Sequence, residues 1–310
     1  MGELLYQRDI YGQTLVELGR RDRNIVVLDA DLSSSTRTSL FAREFPERFF
    51  NFGVAEQNMM ATAAGLASCG KIVFVSTFAI FATGRAWDQV RNSICYNNFN
   101  VKIVASHAGI TVGEDGASHQ AIEDIAVMRC IPNMTIIVPC DGPETREAVL
   151  ASVEKEGPVY IRLGRAKFPT IENKKKFEIG KAYPLCEGKD LTIVACGIMV
   201  HIALAAAEEL RKEKINVTLL NVHTIKPLDK ETLLEYARLT QRFIVCEEHM
   251  VTGGLGSAVA EFLSEVYPVP VCRIGISDHF GQSGSPEELL KKYGLTARDI
   301  VEKAKVLVKK

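Results

Sequence analysis

The sequence lacks an excess of charge of either sign. Its 310 residues include 37 lysines and arginines against 38 aspartates and glutamates, which leaves a formal net charge of −1. Proteins that bind nucleic acid or an anionic membrane surface rely on a positive field, and this balance supplies none. We therefore exclude nucleic acid and membranes as partners. The Lys174-Lys175-Lys176 run is short, and we interpret it as solvated surface.

Long apolar runs and paired cysteines are also missing. The longest strongly apolar stretch, residues 72–82, contains Ser76 and Thr77 and is too short to span a membrane. The first residues form no apolar signal segment. The eight cysteines occur singly, which favours reduced thiols over a disulfide framework or a zinc site. These features predict a cytoplasmic protein.

What the sequence does contain is an alternation of short β-branched runs and longer helical patterns. Near-continuous apolar strands of this kind are typical of parallel sheets that helices cover on both faces. We predict an α/β fold of two consecutive domains, each with a mostly parallel sheet flanked by helices. The domains cover residues 1–167 and 191–310, and residues 168–190, with two prolines and a lysine run, form the linker.

The predicted elements divide between these two domains. In the first domain the strands cover residues 25–29, 72–76, 101–106, 135–139 and 159–162, and the helices cover 4–20, 56–68, 85–97, 120–129 and 144–154. In the second domain the strands cover residues 191–196, 217–221, 243–247 and 271–274, and the helices cover 200–214, 230–239 and 255–266, with a further helix that begins at Pro286.

The densest group of polar residues is the loop that runs from His107 to Gln120 and includes Asp115 and His119. It follows a predicted strand, and ligands of open α/β sheets bind at the carboxyl ends of strands. The alternative is a surface loop whose histidines cap backbone groups. Two histidines that flank a glycine-rich acidic turn favour a functional site.

Glu56 begins an otherwise apolar helix of small residues. An acid in the first turn gains under about 1 kcal/mol from the helix dipole, which is one sufficient explanation. Its apolar neighbours, however, indicate a carboxylate near a core or interface, where a charge needs a specific partner. Phe78 and Phe81 follow a predicted strand, and core packing is the ordinary explanation for such a pair.

Side chains that suit a phosphate are scattered along the first domain. They are Arg8, the serine turn that ends at Ser35, and Arg165. In the second domain, Gly253-Gly254-Leu255-Gly256 stands between a predicted strand and helix and loosely matches a dinucleotide-binding turn. An NAD-binding protein is therefore one alternative.

Taken together, four strings resemble the C-terminal half of transketolase, a thiamine-diphosphate enzyme, over essentially the whole chain. The second half of deoxyxylulose-phosphate synthase and the β subunit of 2-oxo acid dehydrogenases are similar, but residues 114–124 and 280–290 favour transketolase. The strings are Gly-Val-Ala-Glu-Gln (53–57), Ser-Thr-Phe followed by Asp-Gln-Val-Arg (76–78 and 88–91), Gly-Glu-Asp-Gly-Ala-Ser-His-Gln (113–120), and Cys-Glu-Glu-His-Met-Val-Thr-Gly-Gly-Leu-Gly-Ser-Ala-Val (246–259).

The resemblance implies a pyrimidine-binding domain followed by a transketolase C-terminal domain, and roles for individual residues. Glu56 corresponds to the glutamate that bonds the cofactor's ring nitrogen and drives its imino tautomer. Phe78 and Phe81 correspond to the aromatics on the pyrimidine face, and Asp31 resembles an acid near the cofactor. The implied substrate contacts are His119 and Asp115 on the sugar hydroxyls, and Arg8, Ser35, His107 and Arg165 on the phosphate.

The sequence departs from the family pattern in three places. Gly84 falls near the third aromatic of the pyrimidine pocket, and Ala117 replaces a usual proline. The Gly-Asp-Gly motif, with which the family holds diphosphate and a divalent metal, does not occur. The resemblance therefore implies an N-terminal partner subunit that carries this motif and the Mg²⁺ or Ca²⁺, in a dimer of heterodimers; one piece of a longer protein would show the same pattern.

The expected activity is transfer of a two-carbon ketol unit from a ketose phosphate to an aldose phosphate. A subunit of a related thiamine-diphosphate enzyme and a non-catalytic subunit of the same fold are the alternatives. Glu56, His107 and His119 argue against the second, because a non-catalytic chain has no need of them together. The resemblance assigns no role to the remaining histidines, and we expect ordinary structural roles for His201, His223, His249 and His279.

Overall fold

The computed structural model describes residues 2–172 and 175–309. Lys174, from the lysine run considered above, lies outside these residues, so the interpretation of that run stays a prediction. None of the helices in the described part of the chain combines the length and apolar character that crossing a membrane requires.

The β-branched runs of the first half form strands that are buried along nearly their whole length, and the helices between them cover both faces of a sheet. The strands are β1 (Leu4–Tyr6), β2 (Ile25–Asp29), β3 (Phe49–Asn51), β4 (Ile72–Phe78), β5 (Val101–Ser106), β6 (Thr135–Ile137), β7 (Val159–Arg162) and β8 (Lys167–Pro169). The helices are α1 (Gln7–Arg21), α2 (Ser33–Thr36), α3 (Ser39–Glu44), α4 (Glu56–Ser68), α5 (Asp124–Arg129) and α6 (Gly142–Glu154).

The second half repeats this alternation with a smaller sheet. Its strands are β9 (Tyr183–Cys186), β10 (Leu191–Ala195), β11 (Val217–Asn221), β12 (Thr224–Lys226), β13 (Phe243–Met250) and β14 (Val271–Ile276). Its helices are α7 (Met199–Lys212), α8 (Lys230–Thr240), α9 (Leu255–Val266), α10 (Pro286–Lys292) and α11 (Ala297–Val308).

Both large sheets are parallel except for one strand at an edge. The seven-stranded sheet has the order β12-β6-β7-β5-β4-β2-β3, with only β12 antiparallel. The five-stranded sheet has the order β14-β13-β10-β11-β9, with only β9 antiparallel. The predicted fold class, two α/β domains with mostly parallel sheets flanked by helices, is confirmed. The boundaries at residues 167 and 191 stay predictions.

The two halves are joined more closely than two separate domains would be. Strand β12 belongs to the second half of the chain but pairs with β6 of the first sheet. One continuous hydrophobic cluster contains Met59 of α4 and Val75 of β4 together with Val194 of β10 and Val245 of β13. The predicted linker is also anchored at both ends, since Ile171 N donates to the Asp141 carboxylate (2.9 Å) and Ala182 N donates to an aspartate of the second half.

The predicted helix over residues 4–20 begins later than expected. Residues Leu4–Tyr6 form β1, which pairs antiparallel with β8, and α1 starts only at Gln7. The local apolar pattern fits a strand and a first helical turn equally well, so pairing with a distant segment decides the outcome. The side chain of Gln7 then ties the start of α1 to the ends of two strands, because it donates to Pro139 O and accepts from Gly164 N (both 2.8 Å).

Two other predicted helices differ in type or length. Within the helix predicted over 85–97 lies the π-helical segment Gln89–Cys95, and another π-helical segment, Phe81–Arg85, ends where the predicted helix begins. The helix predicted over 120–129 begins only at Asp124, because the Gln120 side chain donates to loop carbonyls and holds the preceding residues in a turn. Helix α11 was not predicted, although the sequence carries a signal for it in the capping box that joins Thr296 and Asp299.

The sheet topology brings the predicted site residues to one edge. Strands β2, β3, β4, β5 and β7 are neighbours and parallel, so their carboxyl ends meet at the same side of the sheet. Asp31, Glu56, Phe78, His107 and Arg165 all lie at or directly after one of these ends. This is the side at which open parallel sheets bind ligands.

A buried ion pair fastens this edge to the second half. Asp124 Oδ2 accepts hydrogen bonds from Arg162 Nε (2.8 Å) and from the Tyr160 hydroxyl (2.6 Å). Arg162 also donates to the backbone carbonyls of Ala121 and Glu248 (both 3.0 Å), and Glu248 belongs to β13. Removing one charge of a buried pair leaves the other uncompensated, which is strongly destabilising.

We predict that Asp124→Asn lowers the free energy of unfolding by about 3 kcal/mol. The lower end of the usual range applies because the Glu248 carboxylate remains to compensate Arg162. Urea unfolding measures the change. Glu302→Gln, which breaks the exposed Arg298–Glu302 pair, is the control and leaves the urea midpoint in place. Equal midpoints for Asp124→Asn and the unsubstituted chain would contradict the assignment.

Candidate active site

Four rings lie together at the ends of β4 and β5. The Phe78 ring stacks on the His107 imidazole, with centroids 3.8 Å apart and an interplanar angle of 22°, and on the Phe81 ring at 6.0 Å. The His119 ring meets Phe81 edge-on at 5.4 Å and Phe78 at 6.4 Å. Predicted cofactor-binding and substrate-binding residues, which are separated along the chain, therefore form one aromatic cluster.

The Glu56 carboxylate is buried beside this cluster. Glu56 is the first residue of α4 and is 4% exposed. Within the described residues its carboxylate accepts no hydrogen bond, and its cation partner is Arg85, whose Nη1 lies 3.7 Å from Oε1. The Arg85 guanidinium also lies over the Phe81 ring, 4.7 Å from its centroid. A buried carboxylate without hydrogen bonds, linked through Arg85 to the Phe81 ring, suits a planar ring that can donate a proton.

Asp31 is exposed and is hydrogen-bonded to Asn51. Its carboxylate accepts from Asn51 Nδ2 (3.0 Å), and Asn51 Oδ1 accepts in return from the Asp31 and Gly53 backbone amides. This pairing joins the end of β2 to the segment that leads into α4. Gly84 stands near the position of the third aromatic, and a Cβ atom added there would meet no other atom within 4 Å. No ring from the described part of the chain therefore takes that place.

Two basic side chains, Arg8 and Arg165, lie close to His107. Burial is the largest cause of the lowered pKa values of Arg8 and His107; the charge of Arg165 lowers both further, and Arg8 also lowers that of His107. The Nε of Arg8 is buried without a hydrogen-bond partner in the described part of the chain. Buried donors of this kind are normally satisfied, so Arg8 points to a missing anionic acceptor.

The glycine-rich loop is held from several sides. Arg165 Nη1 donates to Val112 O (2.5 Å) and to the Glu114 carboxylate (3.0 Å). From the second half, the Glu248 carboxylate accepts from Thr111 N at 2.6 Å. These contacts fix the predicted site loop, while its tip stays accessible: Asp115 is exposed and His119 is half-buried.

Ser35 lies on a loop that a buried aspartate organises. Both carboxylate oxygens of Asp29, the last residue of β2, accept hydrogen bonds: Oδ1 from Leu32 N (2.6 Å), and Oδ2 from the Thr36 and Thr38 hydroxyls (both 2.8 Å). Burial raises the pKa of Asp29, and the threonine hydroxyls act in the opposite direction. The half-buried Ser35 is thereby held on the same edge of the sheet as the basic residues.

Sequence reasoning missed Arg37, Arg85 and Asp29. Arg85 was assigned only to a helix, and its position over Phe81 depends on the π-helical segment. Arg37 Nε bonds the Asp9 carboxylate at 2.5 Å, a contact between residues 28 positions apart in sequence. The one available signal was the alternation Thr36-Arg37-Thr38 directly after the serine turn.

The glycine turn of the second half is already occupied by a side chain. The Glu247 carboxylate accepts hydrogen bonds from Leu255 N (2.7 Å) and Gly256 N (2.8 Å) at the start of α9. A Cβ atom on Gly254 would lie 2.0 Å from this carboxylate, which explains the glycine. The amides that would hold a pyrophosphate are therefore used internally, and the NAD alternative loses its only support.

The remaining histidines differ in setting. His201 Nε2 lies 2.7 Å from Cys140 O, and His249 is buried, with Nδ1 2.7 Å from Met250 O. His223 is buried beside the Thr224 hydroxyl. His279 is exposed and lines a cavity of about 230 Å³ whose walls come from both halves, among them Ile122 and Met250. No group of three or more His, Cys, Asp or Glu side chains able to hold a metal ion occurs in the described residues.

We predict that His107 stays neutral throughout the physiological range. Burial, and then the charges of Arg8, Arg165 and His119, lower its pKa from 6.5 to about 3. The folded chain therefore binds this proton less readily than the unfolded chain. The neutral imidazole contributes stability that is present above about pH 6.5 and lost as the pH falls toward 3.

A ring-proton NMR titration between about pH 4 and 8 checks this prediction. The His107 signal, identified by its loss in His107→Asn, should not move over this range. The same substitution should reduce the acid-induced loss of stability. A titration midpoint for His107 near its ordinary value would contradict the prediction.

Comparison with known proteins agrees with this geometry. The family "Transketolase, pyrimidine binding domain" matches residues 5–170, and "Transketolase, C-terminal domain" matches residues 180–300. A Methanocaldococcus jannaschii chain named as a transketolase C-terminal section is 52% identical over 97% of this chain and 95% of its own length. A 6-deoxy-6-sulfo-D-fructose transketolase subunit of Clostridium is 46% identical over 96% of this chain and 92% of its own.

The same relationship appears in three dimensions. A solved structure described as a split gene transketolase, inactive β4 tetramer, superposes with a TM-score of 0.92 at 55% identity and covers 98% of this chain and 99% of that one. The resemblance on which the sequence prediction rested is confirmed. The chain belongs to the transketolase family and corresponds to its C-terminal section.

Proposed function

We propose that this chain is the C-terminal subunit of a thiamine-diphosphate-dependent transketolase that moves a two-carbon ketol unit from a ketose phosphate to an aldose phosphate. The observation that carries the proposal is the meeting of two groups at one sheet edge. Glu56 with Phe78 and Phe81 forms a site for a planar ring, and Arg8 with Arg165 forms a site for an anion, with His107 between them.

The first group fits the pyrimidine of thiamine diphosphate. The buried Glu56 carboxylate is available to bond a ring nitrogen and hold its proton, and a phenyl face is available on Phe81. Arg85 lies where such a ring would enter, so it has to move aside. When bound, the cofactor supplies the stabilised carbanion chemistry, while this chain supplies orientation and charge. We assign Asp31 to a place near the cofactor because it is hydrogen-bonded to Asn51, which lies in the segment that leads to Glu56.

The second group fits the substrate. Arg8 and Arg165 provide charge for the sugar phosphate, Ser35 provides a hydroxyl, and His107 provides a neutral hydrogen-bonding group. His119 and Asp115 stand on the accessible tip of the loop and are assigned to the sugar hydroxyls. Because His107 is neutral, phosphate binding on this chain rests on arginine rather than on histidine charge.

A partner chain completes the site in this proposal. This chain has neither the Gly-Asp-Gly motif nor, in its described residues, a metal-holding cluster. We assign the diphosphate and the Mg²⁺ or Ca²⁺ to an N-terminal subunit, in a dimer of heterodimers. The related split transketolase is described as inactive in its β4 form, which agrees with a need for the other subunit. Four of the eight cysteines are buried, as suits a cytoplasmic setting.

The proposal is tested by ketol transfer from xylulose 5-phosphate to ribose 5-phosphate with thiamine diphosphate and Mg²⁺. Activity is expected only when this chain is mixed with a companion that carries the Gly-Asp-Gly motif. A complex that forms but transfers no ketol unit, with these or other sugar phosphates, would refute the proposal.

Within the active mixture, Glu56→Gln should lower the turnover number roughly 100-fold or more, because it removes the carboxylate that would hold the ring proton. The fold should be unchanged, since the amide keeps the size of the side chain. Glu44→Gln, which changes an exposed acid paired with Arg20, is the matched control and should retain full activity. Unchanged turnover in Glu56→Gln would remove Glu56 from the mechanism.

A further inference from the structure

Arg37 has a backbone conformation that its residue type rarely adopts. Its φ is +68°, in the left-handed region, where a side chain with a Cβ atom is disfavoured. Left-handed non-glycine residues persist where the surrounding structure overdetermines them, and they are concentrated at functional sites. The residues around Arg37 must therefore hold it in this conformation.

Several contacts force Arg37 into this position. The hydroxyls of its two chain neighbours, Thr36 and Thr38, both donate to the buried Asp29 carboxylate. Helix α1 approaches the Arg37 backbone closely because Gly12 has no side chain: a Cβ there would lie 2.7 Å from Arg37 Cβ and from its carbonyl oxygen. The Asp29 carboxylate and helix α1 therefore hold the loop from two directions, and they leave the Arg37 side chain at its surface.

The Arg37 side chain is held next to Arg8. Its Nε bonds the carboxylate of Asp9, the chain neighbour of Arg8, and its Nη1 donates to Ser34 O at 3.3 Å. The Arg37 charge is close enough to lower the pKa of Arg8, after the larger effect of burial. About two-fifths of the Arg37 side chain remains exposed, so donor groups are left for a ligand.

We propose that Arg37 is a third arginine of the anion site and that it selects sugars that end in a phosphate dianion. This inference rests on the proposed ketol transfer. It assigns the site a substrate class: phosphate sugars in preference to sugars that end in a monoanion such as a sulfonate.

The charge arrangement supports this selection. Two of the three arginines already have acids of their own, Arg37 with Asp9 and Arg165 with Glu114, whereas Arg8 has no ion-pair partner within 4 Å in the described residues. Because His107 is neutral, the three arginines and two acids leave a small positive excess, and loss of Arg37 would cancel it. Removing Arg37 weakens the electrostatic attraction of the site for a dianion more than for a monoanion, and it does not change the binding of a neutral sugar.

The experiment compares Arg37→Gln with the unsubstituted chain, each in complex with its companion subunit. Ketol transfer is measured with xylulose 5-phosphate as donor, with 6-deoxy-6-sulfofructose, and with the neutral pair erythrulose and glyceraldehyde, which yields glycolaldehyde and xylulose. We expect the KM for the phosphate donor to rise roughly tenfold, the sulfonate KM to rise less, and kcat and the neutral reaction to stay unchanged.

Further variants separate the side chain from the backbone. Arg37→Gly suits a positive φ and should show the same rise in KM, which excludes strain as the cause. Arg37→Lys keeps the charge and should recover part of the affinity. Arg20→Gln breaks the exposed Arg20–Glu44 pair at the far end of α1 and should change nothing. Inhibition by inorganic phosphate of the neutral reaction gives an independent reading and should weaken in Arg37→Gln.

The outcomes distinguish the two proposals. If the unsubstituted complex fails even with the neutral pair, the proposed ketol transfer itself is wrong. If the neutral pair reacts but Arg37→Gln leaves the phosphate KM and phosphate inhibition unchanged, Arg37 has no part in the anion site. An equal rise in KM for charged and neutral sugars would show a structural role and would also overturn the inference.

Discussion

The buried charges of Asp124, Arg162 and Glu248 join the two halves of the chain at the edge where the candidate site lies. Arg162, at the end of β7, bonds Asp124 and the backbone of β13, and the Glu248 carboxylate of β13 reaches Thr111 in the glycine-rich loop. Despite the opposing effect of burial, Arg162 keeps the pKa of Asp124 low, whereas burial raises the pKa of Glu248. Together with the contacts of Arg165, this network holds the loop in position relative to the sheet.

Glycines make this close arrangement possible. A Cβ atom on Gly109 would lie 2.3 Å from the Glu248 carboxyl carbon, so the loop can approach the second half only at a residue without a side chain. Gly109 also has a φ of +81°, which glycine adopts readily. The glycine-rich turn that the sequence shows is thus part of a tightly packed contact between the halves.

The candidate site consists of a cluster of neutral rings and a separate set of charged side chains. The ring cluster of Phe78, Phe81, His107 and His119 is largely apolar, and His107 carries no charge because burial and nearby arginines disfavour its protonated form. Positive charge is supplied by arginines, and acids partner two of these. Such pairing holds the arginine side chains in a fixed orientation and keeps the electrostatic cost of placing several positive charges close together modest.

Local pattern was sufficient for several strands that are buried along their whole length and for two helices. Strands β2, β5, β7 and β11 and helices α4 and α9 have the predicted bounds. Pattern failed where partners lie far apart in sequence, as in β1 and in the start of α5. It also left the Gly253 turn open to an NAD interpretation, which the position of Glu247 removes.

Hydrophobic periodicity and short motifs were enough to predict the α/β class, the family and most of the candidate site residues, because these features can be read from neighbouring residues. Which of these residues touch depends on the fold. The stacking of His107 on Phe78, the closeness of Arg85 to Glu56 and the position of Arg37 beside Arg8 all follow from parallel strands that bring their carboxyl ends to one edge. The charge state of His107 also depends on the fold, because its low pKa arises from burial and from neighbours that are distant in sequence.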